Sequence, residues 1–394
     1  MPILSHKIRL RPNTEQLAYF VNACGASRKV YNEALAMWNS AYESGAKPNA
    51  NELKAAFNKV KYKKFPWLKE VHRDCSSQPF ADLGKAFSNF FKKRAKHPEF
   101  KRKGRSKDSF YVASDKLKVV GKKVKLPKIG WIEMTEELRF TGSIKSARVS
   151  STADKWFISI AVELVSYSPK FSETRAPMGV DLGIKTTATC TDGSTYNSPK
   201  PLRIFKKKLS KHQRSLSRKQ KGSNNYNKQR IKLARIHERI ANVRKDFIHK
   251  MTTDIVRKSQ AIVLEDLSVL NMLKNHNLSR ALSDESFSEI RRQFEYKCAL
   301  SEVPILITNR YFPSSRLCSK CGWKNTELTL RDRVFKCRQC GLEIDRDLNA
   351  AYNLVNQLPE AIGEVKPVDR LAPSAFAEDR DEAGIDVYGY VHRK

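Results

Sequence analysis

The feature that most restricts how this 394-residue chain can fold is a pair of Cys-x-x-Cys motifs near its C-terminal end. The four cysteines are Cys318, Cys321, Cys337 and Cys340. Each motif is followed by a glycine, Gly322 or Gly341, and fifteen residues separate the two motifs. Four thiolates complete the tetrahedral coordination of zinc, each glycine permits a tight turn, and the intervening segment is long enough for a β-hairpin. We therefore expect a closed, structural zinc site in a zinc ribbon over residues 313–343. Two chance pairs or a redox motif are the alternatives, and both glycines argue against them.

Three acidic residues lie at positions that single them out from ordinary surface charges or helix caps. Asp181 interrupts the apolar pattern MGVDLG, Glu265 ends the run AIVLE, and Asp347 begins a helical pattern with Asp345 nearby. An unpaired charge in a buried strand is costly unless something compensates it. If the two strands are neighbours and the helix packs over them, the three side chains converge and raise one another's pKa until divalent cations relieve the repulsion. Such a site suits two-metal phosphodiester hydrolysis with Mg²⁺, which prefers hard oxygen ligands.

The charge of the chain indicates a polyanionic partner. Lysine and arginine number 75 and aspartate and glutamate 41, which gives a net charge of +34. This excess runs through most of the chain and favours nucleic acid as the partner. A ribosome-like role, a membrane-surface role or mere solubility are the alternatives. No apolar run of about 18 residues and no signal-peptide pattern occurs, so we expect a cytoplasmic protein that does not enter a membrane.

The order of periodic segments predicts an α/β multidomain protein. A strand pattern ends at Arg11, helical spacing follows in the first hundred residues, and short alternating β runs extend from 109 to 166. The helices therefore read as an insertion between the strands of a barrel or sandwich. A second α/β unit follows from Pro177, and its strands carry Asp181 and Glu265.

Residues 202–258 read as an antiparallel pair of amphipathic helices with strongly positive polar faces. Acidic residues are nearly absent from these faces, whereas solubility alone would mix both signs. A surface that follows a nucleic-acid backbone is therefore favoured over a merely solvated face. The residues of this hairpin that we expect to contact nucleic acid are Lys206, Lys207, Lys208, Arg235 and Arg239.

Four stretches together resemble the TnpB family, the insertion-sequence-encoded RNA-guided nucleases related to the type V CRISPR effectors. They are GVDLGIKTTATCTDG, VLEDL, YFPSSRLCSKCG and CRQCGLEIDRDLNAAYN, and the likeness extends over residues 3–357. The resemblance implies a RuvC-like (RNase H-like) nuclease domain of residues 176–312 and 344–357. The catalytic, magnesium-binding triad would be Asp181, Glu265 and Asp347. Asp345 would then support the site or cap the helix, and an exchange of roles between Asp345 and Asp347 stays open. The zinc ribbon would be an insert that binds the target nucleic acid.

The same resemblance divides the first part of the chain. Residues 1–11 and 106–175 would form a β-barrel wedge domain, with residues 12–105 inserted as a helical recognition lobe. Gln78 lies where the family places a residue that reads the motif beside the target. Residues 358–394 are expected to form a flexible tail.

The implied function is that of a transposon-associated, RNA-guided DNA endonuclease. A guide RNA from the transposon end would be held through its backbone and shape, while base pairing reads double-stranded target DNA. Cleavage beside a short flanking motif would use two magnesium ions, and zinc would be structural. One protein monomer would act on one guide RNA in the prokaryotic cytoplasm, at the nucleoid. The alternatives are a nuclease-inactive RNA-guided repressor, which would lack a triad acid, and a guide-independent RuvC-like nuclease, against which the breadth of basic surface argues.

Overall fold

The computed structural model describes residues 2–329 and 331–359, which divide into two compact units at residues 167 and 168. This boundary precedes the one expected from the sequence, between residues 175 and 176. None of the helices in these two ranges is long and apolar enough to cross a membrane. The expected tail, 358–394, lies outside the described residues from position 360 onward.

The first unit is built on a seven-stranded antiparallel sheet with the order β2-β6-β7-β1-β5-β4-β3. Its strands are β1 (Ile3–Arg11), β2 (Ser109–Ala113), β3 (Lys118–Val120), β4 (Lys123–Leu126), β5 (Gly130–Met134), β6 (Gly142–Thr152) and β7 (Lys155–Leu164). Strand β1 pairs with β7 from Ile3 to Leu10, so the N-terminal strand joins the later strands as the sequence predicts. The edge strands β2 and β3 do not pair with each other in the described part of the chain, so the expected barrel is an open sheet by its hydrogen bonds.

Three helices lie between β1 and β2 in the chain: α1 (Thr14–Glu43), α2 (Ala50–Lys64) and α3 (Asp74–Phe91). Helix α1 begins where the sequence predicts, because Asn13 and Gln16 form a reciprocal capping box. The helices and the sheet share one apolar core, in which Phe20 and Phe80 from the helices and Phe110 from β2 are almost fully buried. The helical insertion therefore packs on the sheet instead of forming a separate core.

The second unit contains a five-stranded sheet with the order β10-β9-β8-β11-β12. Its strands are β8 (Ala176–Asp181), β9 (Ala188–Cys190), β10 (Thr195–Tyr196), β11 (Ser259–Leu264) and β12 (Ile305–Ile307). Strands β8, β9 and β10 are antiparallel, whereas β8, β11 and β12 run parallel to one another. The carboxyl ends of the three parallel strands thus meet at one edge of the sheet, which is where α/β proteins bind ligands.

Within residues 168–329 and 331–359 this unit has six α-helices: α4 (Pro201–Ser217), α5 (Asn224–Lys258), α6 (Val269–Leu273), α7 (Ser279–Glu285), α8 (Phe287–Ser301) and α9 (Arg346–Val355). Helices α4 and α5 pack together as the expected basic hairpin, and α5 also packs against α8. Ile255 of α5 and Phe294 of α8 are buried in the same core as Ile262 of β11. The short helices α6 and α7 were not expected from the sequence.

The cysteine segment lies between β12 and α9 and contains a two-stranded antiparallel sheet of β13 (Val334–Lys336) and β14 (Glu343–Asp345). Phe335 is fully buried beside Cys318 and Cys337 in a small core of its own. Only β13 lies in the segment between the two cysteine pairs, and its partner β14 follows the second pair, so the hairpin encloses Cys337 and Cys340 instead of lying between the pairs as the spacing predicts.

Candidate active site and metal centre

Two neighbouring strands place Asp181 and Glu265 at the same edge of the sheet. Strand β8 pairs in parallel with β11, and Val180 lies opposite Leu264. Both of these apolar residues are almost fully buried, which fixes the register because a one-residue slip would turn them out of the core. Asp181 and Glu265 are the next residue along each strand, so the two carboxylates leave the sheet side by side.

Helix α9 brings the third acid to this edge by an unusually close approach to β8. The helix packs on β8, β9 and β11. A Cβ atom at Gly179 would lie 2.0 Å from the carbonyl oxygen of Ala351, so only glycine permits this contact. Gly179 is two residues before Asp181, and Asp347 lies in the first turn of α9. The glycine therefore sets the distance between the helix and the strand that carry two of the three acids.

Asp345 and Asp347 have different roles in α9. Asp345 is the N-cap residue, and its side chain accepts hydrogen bonds from the backbone N–H groups of Asp347 and Leu348, both at 3.0 Å. Asp345 is exposed, and its carboxylate caps the N-terminal end of the helix. The arrangement is the one expected if Asp345 caps the helix and leaves Asp347 for the site.

The electrostatics of these residues couple them into one cluster. Burial and the nearby negative charges of Glu265 and Asp347 raise the pKa of Asp181 well above its ordinary value, with a smaller contribution from Asp345. Burial also raises the pKa of Glu265, while hydrogen-bond donation from Ser314 opposes that rise. The guanidinium of Arg346 favours the ionised form of both acids. Partly buried carboxylates that raise one another's pKa are suited to binding divalent cations.

The four cysteines form the compact ligand group that the sequence predicts. Their sulfur atoms all lie within 4.8 Å of one another, and two of the pairs are Cys318 with Cys340 at 3.6 Å and Cys321 with Cys337 at 3.5 Å. Among the described residues this is the only compact group of three or more potential metal-ligating side chains, so the three carboxylates are spread more widely than the sulfurs. Four sulfur donors at this spacing fit zinc and leave no position open for a substrate.

The two halves of the cysteine site repeat the same backbone geometry. The N–H of Cys318 bonds to the carbonyl of Trp323 and that of Cys337 to the carbonyl of Leu342, both at 2.8 Å. Gly322 and Gly341 have φ values of 75° and 71°, in the left-handed region that glycine adopts without strain. Each glycine thus closes one knuckle, as expected from its place after the cysteine pair.

Two asparagines of α9 attach the start of the cysteine segment to this helix, and sequence reasoning missed them. The side chain of Asn349 donates to the carbonyl of Leu317 at 2.6 Å and accepts the N–H of Ser319 at 3.0 Å. Asn353 donates to the carbonyls of Ser314 and Leu317, both at 2.7 Å. Both asparagines are buried, and a buried polar side chain four residues after another on an otherwise apolar helix face is the signal that could have identified them.

Ser314 connects this fastened segment with the acids. Its hydroxyl donates a short hydrogen bond to Glu265, while its carbonyl accepts the amide of Asn353. Glu265 is therefore oriented by the same chain segment that leads into the cysteine site. Sequence reasoning did not single out Ser314 either, because nothing local distinguishes it from other loop serines.

The residues expected to contact nucleic acid are found on the surfaces of both units. Lys206, Lys207 and Lys208 are exposed on α4, and Arg235 and Arg239 are exposed on α5. The guanidinium of Arg239 lies 5.4 Å from the ring centre of Phe205, which joins the two helices by a cation–π contact.

Gln78 lies on α3 of the first unit and is engaged by neighbouring side chains. It donates to the carboxylate of Asp82 at 3.0 Å, and the guanidinium of Arg148 on β6 donates to the same carboxylate at 3.1 Å. Gln78, Asp82 and Arg148 line one small cavity together with Lys101. The role of Gln78 in reading a motif beside the target remains a prediction.

Comparisons with known proteins relate nearly the whole chain to one group. A family model described as "Probable transposase" matches residues 159–276, one described as "Cas12f1-like, TNB domain" matches 287–354, and one described as "Helix-turn-helix domain" matches 1–47. In this chain the last span contains β1 and α1.

Two curated relatives match over most of their length. The chain is 36% identical over 359 residues to a "Putative RNA-guided DNA endonuclease" of Streptomyces pristinaespiralis, covering 89% of this chain and 88% of the relative. It is 34% identical over 367 residues to the "Putative RNA-guided DNA endonuclease InsQ" of Escherichia coli, covering 89% and 90%. A solved structure of CasPhi-2 (Cas12j) bound to crRNA aligns with a TM-score of 0.45 at 11% identity, over 90% of this chain and 98% of that one.

Proposed function

The chain belongs to the TnpB family of RNA-guided DNA endonucleases, and we propose that its phosphodiester chemistry takes place at Asp181, Glu265 and Asp347. The observation that carries this assignment is the raised pKa of Asp181, which results from burial and from the charges of Glu265 and Asp347. A folded protein gains nothing in stability from gathering like charges. Such a cluster is instead typical of a site that binds cations and substrate.

We assign the three carboxylates as ligands of Mg²⁺, because their oxygens are the hard donors that this ion prefers. Two bound magnesium ions would supply an activated hydroxide and stabilise the leaving oxygen of the phosphodiester. The protein's own contribution is positional: β8 and β11 fix Asp181 and Glu265, and Gly179 lets α9 approach with Asp347. Ser314 orients Glu265 by its hydrogen bond, and Arg346 favours the ionised carboxylates at neutral pH.

We propose the following division of labour. The second unit is a RuvC-like (RNase H-like) nuclease, and the cysteine segment is its zinc-stabilised, target-binding insert. The sheet of the first unit acts as the wedge and its helices as the recognition lobe, with Gln78 near the flanking motif. The exposed basic residues of α4 and α5 lie against the guide–target heteroduplex.

The partners we propose are a guide RNA from the transposon end and double-stranded target DNA. The protein acts as a monomer on one guide RNA at the nucleoid. Base pairing supplies sequence specificity, so the protein needs only to hold backbones and to recognise a short flanking motif.

The test begins with the RNA that co-purifies with the protein from cells carrying the transposon end. Once sequenced, its guide segment is replaced to match a plasmid target. Cleavage should require that RNA and Mg²⁺, and Asp181→Ala should abolish cutting while guide-dependent DNA binding is retained. Asp246→Asn, at an exposed acid of α5, is the matched control and should cut normally. Undiminished cleavage by Asp181→Ala would reject the assignment of the site.

A further inference from the structure

The loop after β12 displays an aromatic ring at the edge of the sheet where the acids lie. Tyr311 is 87% exposed, which is more than any other large apolar or aromatic side chain in the described ranges. The parallel pairing of β8, β11 and β12 puts their carboxyl ends on one side, so Tyr311 follows the same edge that carries Asp181 and Glu265. An exposed tyrosine is unremarkable alone, and what matters here is how it is held and what adjoins it.

A network of backbone and side-chain hydrogen bonds fixes the turn that carries Tyr311. The N–H of Thr308 bonds to the carbonyl of Leu264 at 2.9 Å and so continues the pairing of β11 with β12. The side chain of Asn309 accepts the N–H of Tyr311 at 2.9 Å, and its carbonyl accepts the N–H of Phe312 at 3.0 Å. A ring presented from a fixed turn loses little conformational entropy when it binds a ligand.

Arg310, the residue before Tyr311, and Arg291 of α8 are both bonded to Asp266, the residue that follows Glu265. Arg310 donates to Asp266 at 2.6 Å, and Arg291 donates to Asp266 at 2.5 Å and to Glu295 at 2.9 Å. The two positive charges are balanced by the two carboxylates, so this cluster orients the arginines without adding net attraction for an anion. Arg310 is about half exposed and keeps guanidinium donors for a phosphate oxygen.

These residues line a shallow, open depression of about 500 Å³, whose lining includes Asp266, Arg291, Arg310 and Tyr311. The depression is too open to enclose a ligand, but its volume is sufficient for one nucleotide to lie on this surface, since small-ligand sites have volumes of roughly 300–1,000 Å³. A free aromatic face beside a guanidinium favours a flat π-system attached to a phosphate. Bases within a duplex are already stacked on one another, so the occupant has to be unpaired.

We propose that Tyr311 and Arg310 form a stacking subsite for one unpaired nucleotide of single-stranded DNA beside the catalytic acids. The inference rests on the proposed nuclease function. In that function the subsite would hold the separated DNA strand at the sheet edge that carries Asp181 and Glu265. The ring stacks on the base, and Arg310 contacts the adjoining phosphate. Asp266 acts only by positioning Arg310.

The test uses the protein with its co-purified RNA and a single-stranded oligonucleotide that carries the fluorescent base 2-aminopurine. Stacking on Tyr311 should quench the fluorescence on binding. Tyr311→Ala should lose the quenching and bind about tenfold more weakly, which is the usual effect of removing one base-stacking ring. Tyr311→Phe should behave like the wild type. Leu270→Ala, at an apolar residue that is 81% exposed on α6, is the matched control.

The salt dependence of binding, the response of a duplex and the comparison of wild type with Tyr311→Ala together test the stacking subsite. Because stacking depends weakly on salt, the ratio of affinities between wild type and Tyr311→Ala should persist as ionic strength rises. A duplex with the same fluorescent base should show no quenching that depends on Tyr311. Equal quenching and affinity in wild type and Tyr311→Ala, or equal dependence on Tyr311 for duplex and single strand, would overturn the subsite.

Cleavage assays separate this inference from the proposed function. If the wild type cuts guided targets and Tyr311→Ala cuts them with the same KM and kcat, the subsite is wrong and the nuclease assignment stands. If the wild type shows quenching dependent on Tyr311 but no guided cleavage, the subsite stands and the nuclease assignment fails. If the subsite and the nuclease assignment are both right, Tyr311→Ala should raise the KM for guided cleavage about tenfold, and Tyr311→Phe should have the KM of the wild type.

Discussion

The carboxylate of Asp345 accepts the backbone N–H of Asp347 at 3.0 Å, so the two acids of the Asp-Arg-Asp sequence act on different partners. One closes the end of a helix, and the other is free to face the cluster with Asp181 and Glu265. Because Asp345 is engaged at the helix end, this relationship supports the proposal that Asp347, and not Asp345, is the third acid of the site.

The two aspartates should therefore respond differently to substitution. Asp345→Asn keeps a capping oxygen and should retain most cleavage activity, whereas Asp345→Ala should lower stability by about 1 kcal/mol. Asp347→Asn should abolish cleavage with little loss of stability, because it removes a charge from a repulsive cluster. Guided plasmid cleavage and thermal unfolding of the three variants measure this. Full activity in Asp347→Asn together with none in Asp345→Asn would reverse the assignment.

Gly179→Ala should separate α9 from β8. Its methyl group would collide with the carbonyl of Ala351, and overpacking of this kind costs about 1–3 kcal/mol or more. We expect a lower unfolding temperature and a large loss of cleavage, because Asp347 moves with the helix. The control is Gly25→Ala in α1, where the nearest atom is 3.9 Å away and alanine favours the helix. Equal behaviour of both variants would show that the close approach does not set the site.

The pKa of Asp181 makes its effect on stability depend on pH. The unfolded chain releases this proton near the ordinary value of 3.8, while the folded chain retains it to higher pH. At pH values above 3.8 at which folded Asp181 is still protonated, the unfolded state binds fewer protons than the folded state. The contribution of Asp181 to the free energy of unfolding therefore falls as the pH rises. In metal-free buffer Asp181→Asn should unfold at a higher temperature than the wild type, by a margin that grows as the pH rises above about 4. Mg²⁺ should narrow that margin, since the ion stabilises only the wild type. A constant margin across the pH range would contradict the electrostatic account.

Ser314→Ala should shift the pH profile of cleavage. The hydroxyl donates to Glu265 and lowers its pKa, so the variant should need a higher pH to ionise Glu265. The acid limb of the rate profile should then move to higher pH, with the rate recovering where Glu265 is fully ionised. Ser283→Ala, which loses only a hydrogen bond within α7, serves as control. A uniform loss of rate at every pH would point to a structural effect alone.

Cys318→Ser should remove zinc and weaken cleavage as well. The carbonyl of Leu317, next to this cysteine, accepts both Asn349 and Asn353, so a loosened knuckle should also release the segment that holds Glu265. Metal analysis should show less than one zinc per chain, and the cysteine segment should become sensitive to proteases. Cys298→Ala, at a buried thiol of α8, should keep its zinc. Retention of both zinc and activity in Cys318→Ser would disprove this role.

The sequence predicted what depends on local pattern. The cysteine knuckles need only neighbouring residues and a glycine, and the capping box at Asn13 is equally local. The strands before Asp181 and Glu265 were identifiable by their apolar runs, although their pairing was only a condition of the argument until the register of β8 and β11 was known.

The remaining features depend on contacts between distant parts of the chain. Nothing in the sequence around Gly179 indicates that Ala351 lies against it, and the partners of Asn353 are more than thirty residues away. The barrel was expected because alternating strands favour closure, yet local alternation does not determine whether the two edge strands meet. Gln78 was placed by resemblance alone, and its bond to Asp82 depends on a helix turn that carries no sequence motif.

The order of the acids along the chain has a consequence for biosynthesis. Asp181 and Glu265 emerge from the ribosome long before Asp347, which follows the cysteine segment and is held by α9. A nascent polypeptide therefore contains the first two acids while it still lacks Asp347, the third acid of the proposed site. The proposed site is complete only once α9 has packed on β8, so an unfinished chain would not cut the chromosome of the cell that makes it.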